Sequence, residues 1–149
     1  MKFRVTLFTL FLALVAPGYA QKAGAARIIE ITANDLMKYS LTSITAKPGE
    51  AIKIVFTNAG TLPKEAMGHN WVLLKPGTDV MAFATAAASA KDTDYIPPSL
   101  KEQVVGHTPL LGPRKSAEVE LKLAAGEYPF LCTFPAHYAI GMKGMLVVK

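Results

Sequence analysis

From Ala117 to Leu123 the chain alternates strictly, with Val119, Leu121 and Leu123 interleaved with Glu118, Glu120 and Lys122. A period of two puts the apolar side chains on one face of a strand and the charged ones on the other. The pattern returns in Ala51 to Phe56, where Ile52, Ile54 and Phe56 alternate with Lys53 and Val55. Arg27 to Thr32, Leu41 to Ala46, Asn70 to Leu74, Gly126 to Leu131 and Met145 to Val148 are further short runs with strand character. Turn residues separate them: Lys47-Pro48-Gly49 after one run, then Asn58, Ala59, Gly60 and Pro63 after another. Many short strands at this spacing predict a sandwich or a barrel. Asp79 to Lys91 departs from the pattern. It is rich in alanine and reads as a helical flap. Thr78 or Asp79 would cap its start, and Pro97 and Pro98 stop it from running on.

The first twenty residues read differently. Lys2 and Arg4 precede a mostly apolar stretch, Val5 to Val15, and Pro17 to Ala20 supply breakers and small residues. That layout predicts a secretory signal peptide cleaved after Ala20, leaving residues 21–149 as a single domain. The apolar stretch is too short to span a membrane, and none of the later ones is long enough. The formal charge of +5 drops on cleavage, and no run of Lys or Arg marks a nucleic-acid or lipid surface. The expected location is periplasmic or secreted.

Cys132 is the only cysteine. In an oxidising compartment cysteines normally pair, so a single one needs a reason. Its neighbours supply one. The stretch Cys132-Thr133-Phe134-Pro135-Ala136-His137-Tyr138-Ala139-Ile140-Gly141-Met142 puts a thiol, an imidazole and a thioether on one loop between two strand runs. Thiolate and thioether suit Cu(I), and imidazole suits both copper oxidation states. A trigonal His2Cys set with a weak axial Met needs a second histidine, for which His69 is the candidate. Gly68 lets the backbone come close to a metal, and its carbonyl is a candidate further axial contact.

Three separated motifs carry a family resemblance. Met67-Gly68-His69-Asn70-Trp71-Val72, with Asn58 to Lys64 before it, resembles the first copper-ligand segment of azurins. Val105-Gly106-His107-Thr108-Pro109-Leu110 resembles a second azurin segment, and Cys132 to His137 the C-terminal one. The resemblance implies an all-β, Greek-key β-sandwich of about eight strands with a short helical flap. It implies one copper ion with His69, Cys132 and His137 as equatorial ligands, Met142 as axial ligand and the Gly68 carbonyl opposite. It further implies that the amides of Asn70 and Phe134 donate to the Cys132 sulfur, and that the Asn70 side chain ties its loop to Thr133. There are departures. His137 and Met142 stand five positions apart where azurins have four, a spacing similar to auracyanins. Azurins have glycine where Ala136 stands, and the azurin disulfide has no second cysteine here.

In this family the loop histidine shows its edge within an apolar patch, which implies docking of redox partner proteins around His137. Leu62, Pro63, Met67, Pro135, Ala136, Tyr138 and Ile140 are the candidates for the patch. The expected function is one-electron transfer by a monomer, not catalysis. A Cys–His nucleophile lacks an orienting Asn or Asp, and a Met ligand argues against zinc. Three histidines cannot furnish a blue site together with a catalytic copper site. A copper chaperone or buffer is the alternative function, and a metal-free interaction domain a third. His107 reads as a surface histidine, and Trp71 as a core residue. Met145 is excluded as the axial ligand because it falls inside the last strand.

Overall fold

The computed structural model describes residues 25–149, so the predicted signal peptide lies outside the described residues. Among the described residues nine strands form two sheets. The first sheet holds β1 (Arg27–Asn34), β2 (Lys38–Tyr39), β4 (Ala51–Asn58) and β7 (Ser116–Lys122) in the order β2-β1-β4-β7. The second holds β3 (Ser43–Ala46), β5 (Val72–Leu74), β6 (Val104–His107), β8 (Gly126–Leu131) and β9 (Lys143–Val148) in the order β3-β9-β8-β5-β6. Pairing is antiparallel except for β1 with β4 and β3 with β9. Successive strands pass repeatedly between the sheets, the Greek-key manner of building an all-β sandwich.

The alternation in the sequence becomes the core. Ile52, Ile54 and Phe56 of β4 are buried, and they meet Ile29 and Ile31 of β1 on the same inner face. Each such side chain contributes about 1.5–3 kcal/mol when fully buried. Tyr39, Trp71 and Phe130 fill the space between the sheets. Lys53 sits on the outer face, between Glu118 and Glu120 of β7 at 2.9 and 3.1 Å. These exposed ion pairs add little stability beyond keeping that face soluble.

Two strands, β2 and β6, carry no clear period in the sequence. β2 has two residues, too few for a period to register. β6 carries Gly106 and borders a 3₁₀ segment, Pro98–Gln103, so its apolar signal is diluted. The flap helix is shorter than expected. It follows a one-turn helix α1 (Lys64–Met67) and runs as α2 (Val80–Ala87). Asp79 caps its start, accepting from the Ala82 amide at 3.0 Å. A 3₁₀ turn, Lys91–Thr93, follows after a break. Phe83 of α2 packs with Val72, Leu74, Ile96 and Leu131 in a second cluster. This covering explains why β5 is buried along its whole length and reads as a continuous apolar run.

Candidate metal centre

His69 lies between α1 and β5, on a stretch held by an isolated bridge. Its amide donates to the Leu111 carbonyl at 3.2 Å, and the Leu111 amide returns the bond at 2.8 Å. Gly68 ends α1. A Cβ there would lie 2.6 Å from the Lys64 carbonyl oxygen and 2.9 Å from Leu110, so only glycine fits without movement. Two residues beyond His69, the Trp71 amide donates to Thr108 Oγ1 at 3.0 Å, and the Thr108 amide donates to the Trp71 carbonyl at 3.0 Å. The segment Val105 to Leu110 thus braces the histidine strand from the side.

Cys132 follows β8 directly, and Met142 directly precedes β9. Between them the loop folds back on itself. The Cys132 amide donates to the Met142 carbonyl at 3.1 Å, the Met142 amide to the His137 carbonyl at 3.0 Å, and the His137 amide to the Phe134 carbonyl at 3.1 Å. These bonds continue the pairing of β8 with β9 and close the loop so that the backbones of Cys132, His137 and Met142 meet.

His69, Cys132 and His137 converge, with candidate ligand atoms all within 4.8 Å of one another. The Nδ1 atoms face the sulfur, at 3.9 Å from His69 and 3.4 Å from His137. The two imidazole centroids are 4.9 Å apart. All three residues are buried, His137 with only 3 % of its surface exposed. Met142 is fully buried in the same core cluster as Cys132. Gly68 is buried next to His69.

Burial dominates the electrostatics. It pushes the Cys132 thiol up to about 12, while hydrogen bonds from the Asn70 and Phe134 amides pull the other way. Burial also lowers His69, against the Asn34 backbone and the charge of Asp35. His137 falls to about 4, from burial and then from the charge of His69. Both imidazoles are therefore neutral at neutral pH, the form in which histidine binds metal. A buried thiol of this kind gives up its proton to a bound cation. One soft sulfur and two imidazole nitrogens in an apolar setting form a donor set that fits one copper ion.

Several supporting residues were not singled out in the sequence. Tyr39 donates through its hydroxyl to the Asn70 carbonyl at 2.6 Å. Asp94 accepts from Asn70 Nδ2 through its backbone carbonyl at 3.1 Å. Asn58 is buried and holds the Leu111 carbonyl through Nδ2 at 3.0 Å. Asp35 pins the loop before α1, accepting from the Thr61 amide at 2.8 Å and its hydroxyl at 2.9 Å. Of these only Asn58 is a buried polar residue at the end of an apolar strand run; Tyr39, Asp35 and Asp94 carry no such mark in the sequence. His107 is exposed at the end of β6 and takes no part in the cluster, and Trp71 is fully buried. Met145 lies in β9, paired with Ser43.

Known proteins with this sequence pattern agree with the geometry. Residues 25–149 match the family described as copper binding proteins, plastocyanin/azurin family. Azurin of Pseudomonas chlororaphis is 37% identical over 127 residues, covering 81% of this chain and 97% of that protein. Auracyanin-B of Chloroflexus aurantiacus is 34% identical over 126 residues, 83% of this chain and 52% of that protein. The crystal structure of dithionite-reduced auracyanin from Roseiflexus castenholzii superposes with a TM-score of 0.74 at 35% identity, covering 85% of this chain and 99% of that one. The fold, the buried His–Cys–His cluster and these relatives together put this chain in the plastocyanin/azurin family of copper-binding proteins.

Proposed function

We propose that the protein is an exported one-electron carrier whose single copper ion would be held by His69, Cys132 and His137, with the Met142 thioether and the Gly68 carbonyl as further weak donors. The observation that carries this reading is the convergence of both histidine Nδ1 atoms on one buried cysteine sulfur. Copper bound there supplies a Cu(I)/Cu(II) couple.

The chain's own residues make such a couple fast and reversible. The bridge between His69 and Leu111 and the backbone bonds from Cys132 to Met142 fix the donors before any metal arrives. A cradle braced in this way would keep nearly the same donor arrangement in both oxidation states. The amides of Asn70 and Phe134 withdraw charge from the sulfur and so favour the reduced state. Dry packing by Phe134, whose ring centroid is 4.7 Å from that of His137, works in the same direction.

Partner proteins would dock over His137. Leu62 and Ile140 are 43% and 49% exposed, Pro63 and Ala136 are exposed, and Met67, Pro135 and Tyr138 are half-buried. A small apolar surface suits brief encounters, which use modest interfaces. The signal-like start supports export to the periplasm, and among the described residues no helix is long and apolar enough to cross a membrane.

The test is the visible and EPR spectrum of residues 21–149 loaded with Cu(II). An intense thiolate-to-copper band that bleaches and returns on reduction and reoxidation is expected, and Cys132→Ser should abolish it. Tight Cu(I) binding with no such band, and ready release to an acceptor, would replace the carrier with a copper chaperone.

A further inference from the structure

We infer that Tyr39 is a positioning residue for the copper thiolate, acting through the backbone of Asn70. This rests on the proposed copper site. Tyr39 belongs to the two-residue strand β2, in the opposite sheet from β5 and β8. Its ring is buried between Phe56 and Phe130, with centroids 5.9 and 5.7 Å away. Its hydroxyl reaches across the sandwich and donates to the Asn70 carbonyl at 2.6 Å, the shortest hydrogen bond to any group of Asn70.

Asn70 is the residue through which the two halves of the site communicate. Its amide donates to the Cys132 sulfur, and its side chain holds Thr133. The Asn70 amide shares its peptide plane with the His69 carbonyl, which accepts from the Leu111 amide, and Tyr39 holds the next plane through the Asn70 carbonyl, so the two bonds together fix the dihedrals of residue 70 that aim the amide. Asn70 is fully buried, so its carbonyl has no water to turn to when the hydroxyl is removed. Burial and the adjacent Cys132 charge hold the Tyr39 hydroxyl well above its ordinary value, so it stays a donor throughout the working pH range. Hydrogen bonds around a ligand tune a metal site through the ligand's charge. Loosening the Asn70 amide leaves more charge on the sulfur, which favours Cu(II).

Tyr39→Phe keeps the ring and its packing and removes only the hydroxyl. Tyr128→Phe is the control, because Tyr128 also donates its hydroxyl to a carbonyl, that of Ala124, away from the cluster. In the copper-free protein, amide hydrogen exchange at Asn70 and Thr133 is expected to accelerate at least tenfold in Tyr39→Phe, with Ile54 unchanged and with no effect in Tyr128→Phe. In the copper-loaded protein the reduction potential is expected to fall and the thiolate band to move to longer wavelength. Unchanged exchange at Asn70 overturns the inference, and so does faster exchange with an unchanged potential and band. Should wild-type protein fail to take up copper, the electron-carrier reading falls on that result, while the copper-free exchange still decides whether Tyr39 holds Asn70.

Discussion

Asn70 and Thr133 grip each other twice: the Thr133 amide donates to Asn70 Oδ1 at 2.9 Å, and Asn70 Nδ2 donates to Thr133 Oγ1 at 2.7 Å. The residues are 63 positions apart in sequence, yet each is the neighbour of a candidate copper ligand. One amide side chain thus locks the His69 segment to the Cys132 loop. A third bond, from Nδ2 to the Asp94 carbonyl at 3.1 Å, adds the segment that follows the flap. Asn70→Ala removes all three bonds and orphans the buried Thr133 amide. The expected loss is about 3 kcal/mol, at roughly 1 kcal/mol per bond. Urea unfolding of the copper-free variant measures it, and a loss below about 1 kcal/mol would show that the bonds are replaced by others.

Acid should weaken the copper-free protein before any carboxylate is protonated. The folded state holds His69 and His137 below the ordinary value of 6.5, with His137 at about 4. Below about pH 6.5 the unfolded chain takes up protons that the folded chain refuses. Stability is therefore full above that value, declines as pH falls, and levels off near pH 4 as folded His137 also protonates. The gap at His137 amounts to on the order of 3 kcal/mol. A second decline belongs to Asp35, held low by the Thr61 amide, and to Glu50, held low by Arg27. Those contributions are present above the ordinary carboxylate range and are lost as pH falls through it. Denaturation midpoints between about pH 7 and about pH 4.5 should fall steadily, and a flat profile would mean that the imidazoles are not buried in neutral form.

The parts of the molecule legible in sequence are those with a period or a chemical signature. β4 and β7 alternate over their length, so their inner faces were readable from Ile52, Ile54, Phe56 and Leu121. His69, Cys132 and His137 stood out because thiol and imidazole are rare in this chain and sit in short motifs. Tyr39 had neither advantage. Its strand is two residues long, and a tyrosine in such a place looks like any other aromatic. Its role comes from the opposite sheet meeting it, which is a property of topology. Asp94 was equally hidden, since it contributes a backbone carbonyl and its identity says nothing about that. It also adopts a left-handed φ of 52°, next to Tyr95 at 61°, a turn no motif announced.

Ala136 carries a cost that can be removed. Its φ is 70°, in the left-handed region, where a Cβ is disfavoured by about 1–2 kcal/mol. Azurins have glycine at this place. The side chain is exposed, so nothing in the core depends on its methyl group. Ala136→Gly is expected to stabilise the copper-free protein by about 0.5–1 kcal/mol, since the gain is partly offset by the extra freedom of glycine in the unfolded chain. Thermal unfolding should show a rise in Tm. Ala136→Val, β-branched at the same φ, should move Tm the other way. A fall in Tm with glycine would mean that the methyl group makes a contact that outweighs the backbone strain.

Met142 differs from the other three side chains in how much the fold needs it. Its backbone accepts from Cys132 and donates to His137, and both bonds survive any change of side chain. Leucine has a similar volume, and Met142 is fully buried among apolar neighbours, so Met142→Leu should cost less than about 1.5 kcal/mol. The cluster of His69, Cys132 and His137 stays intact, so copper should remain bound. What leucine removes is a weak sulfur donor. A copper ion with one donor fewer is less able to carry the higher charge, so the reduced state gains and the reduction potential rises. Cyclic voltammetry of the loaded variant beside its copper content decides the matter. A raised potential at full copper occupancy is the signature of a weak axial ligand. Loss of copper would make the thioether a principal donor, and an unchanged potential would remove Met142 from the site, leaving the three converging side chains to account for it alone.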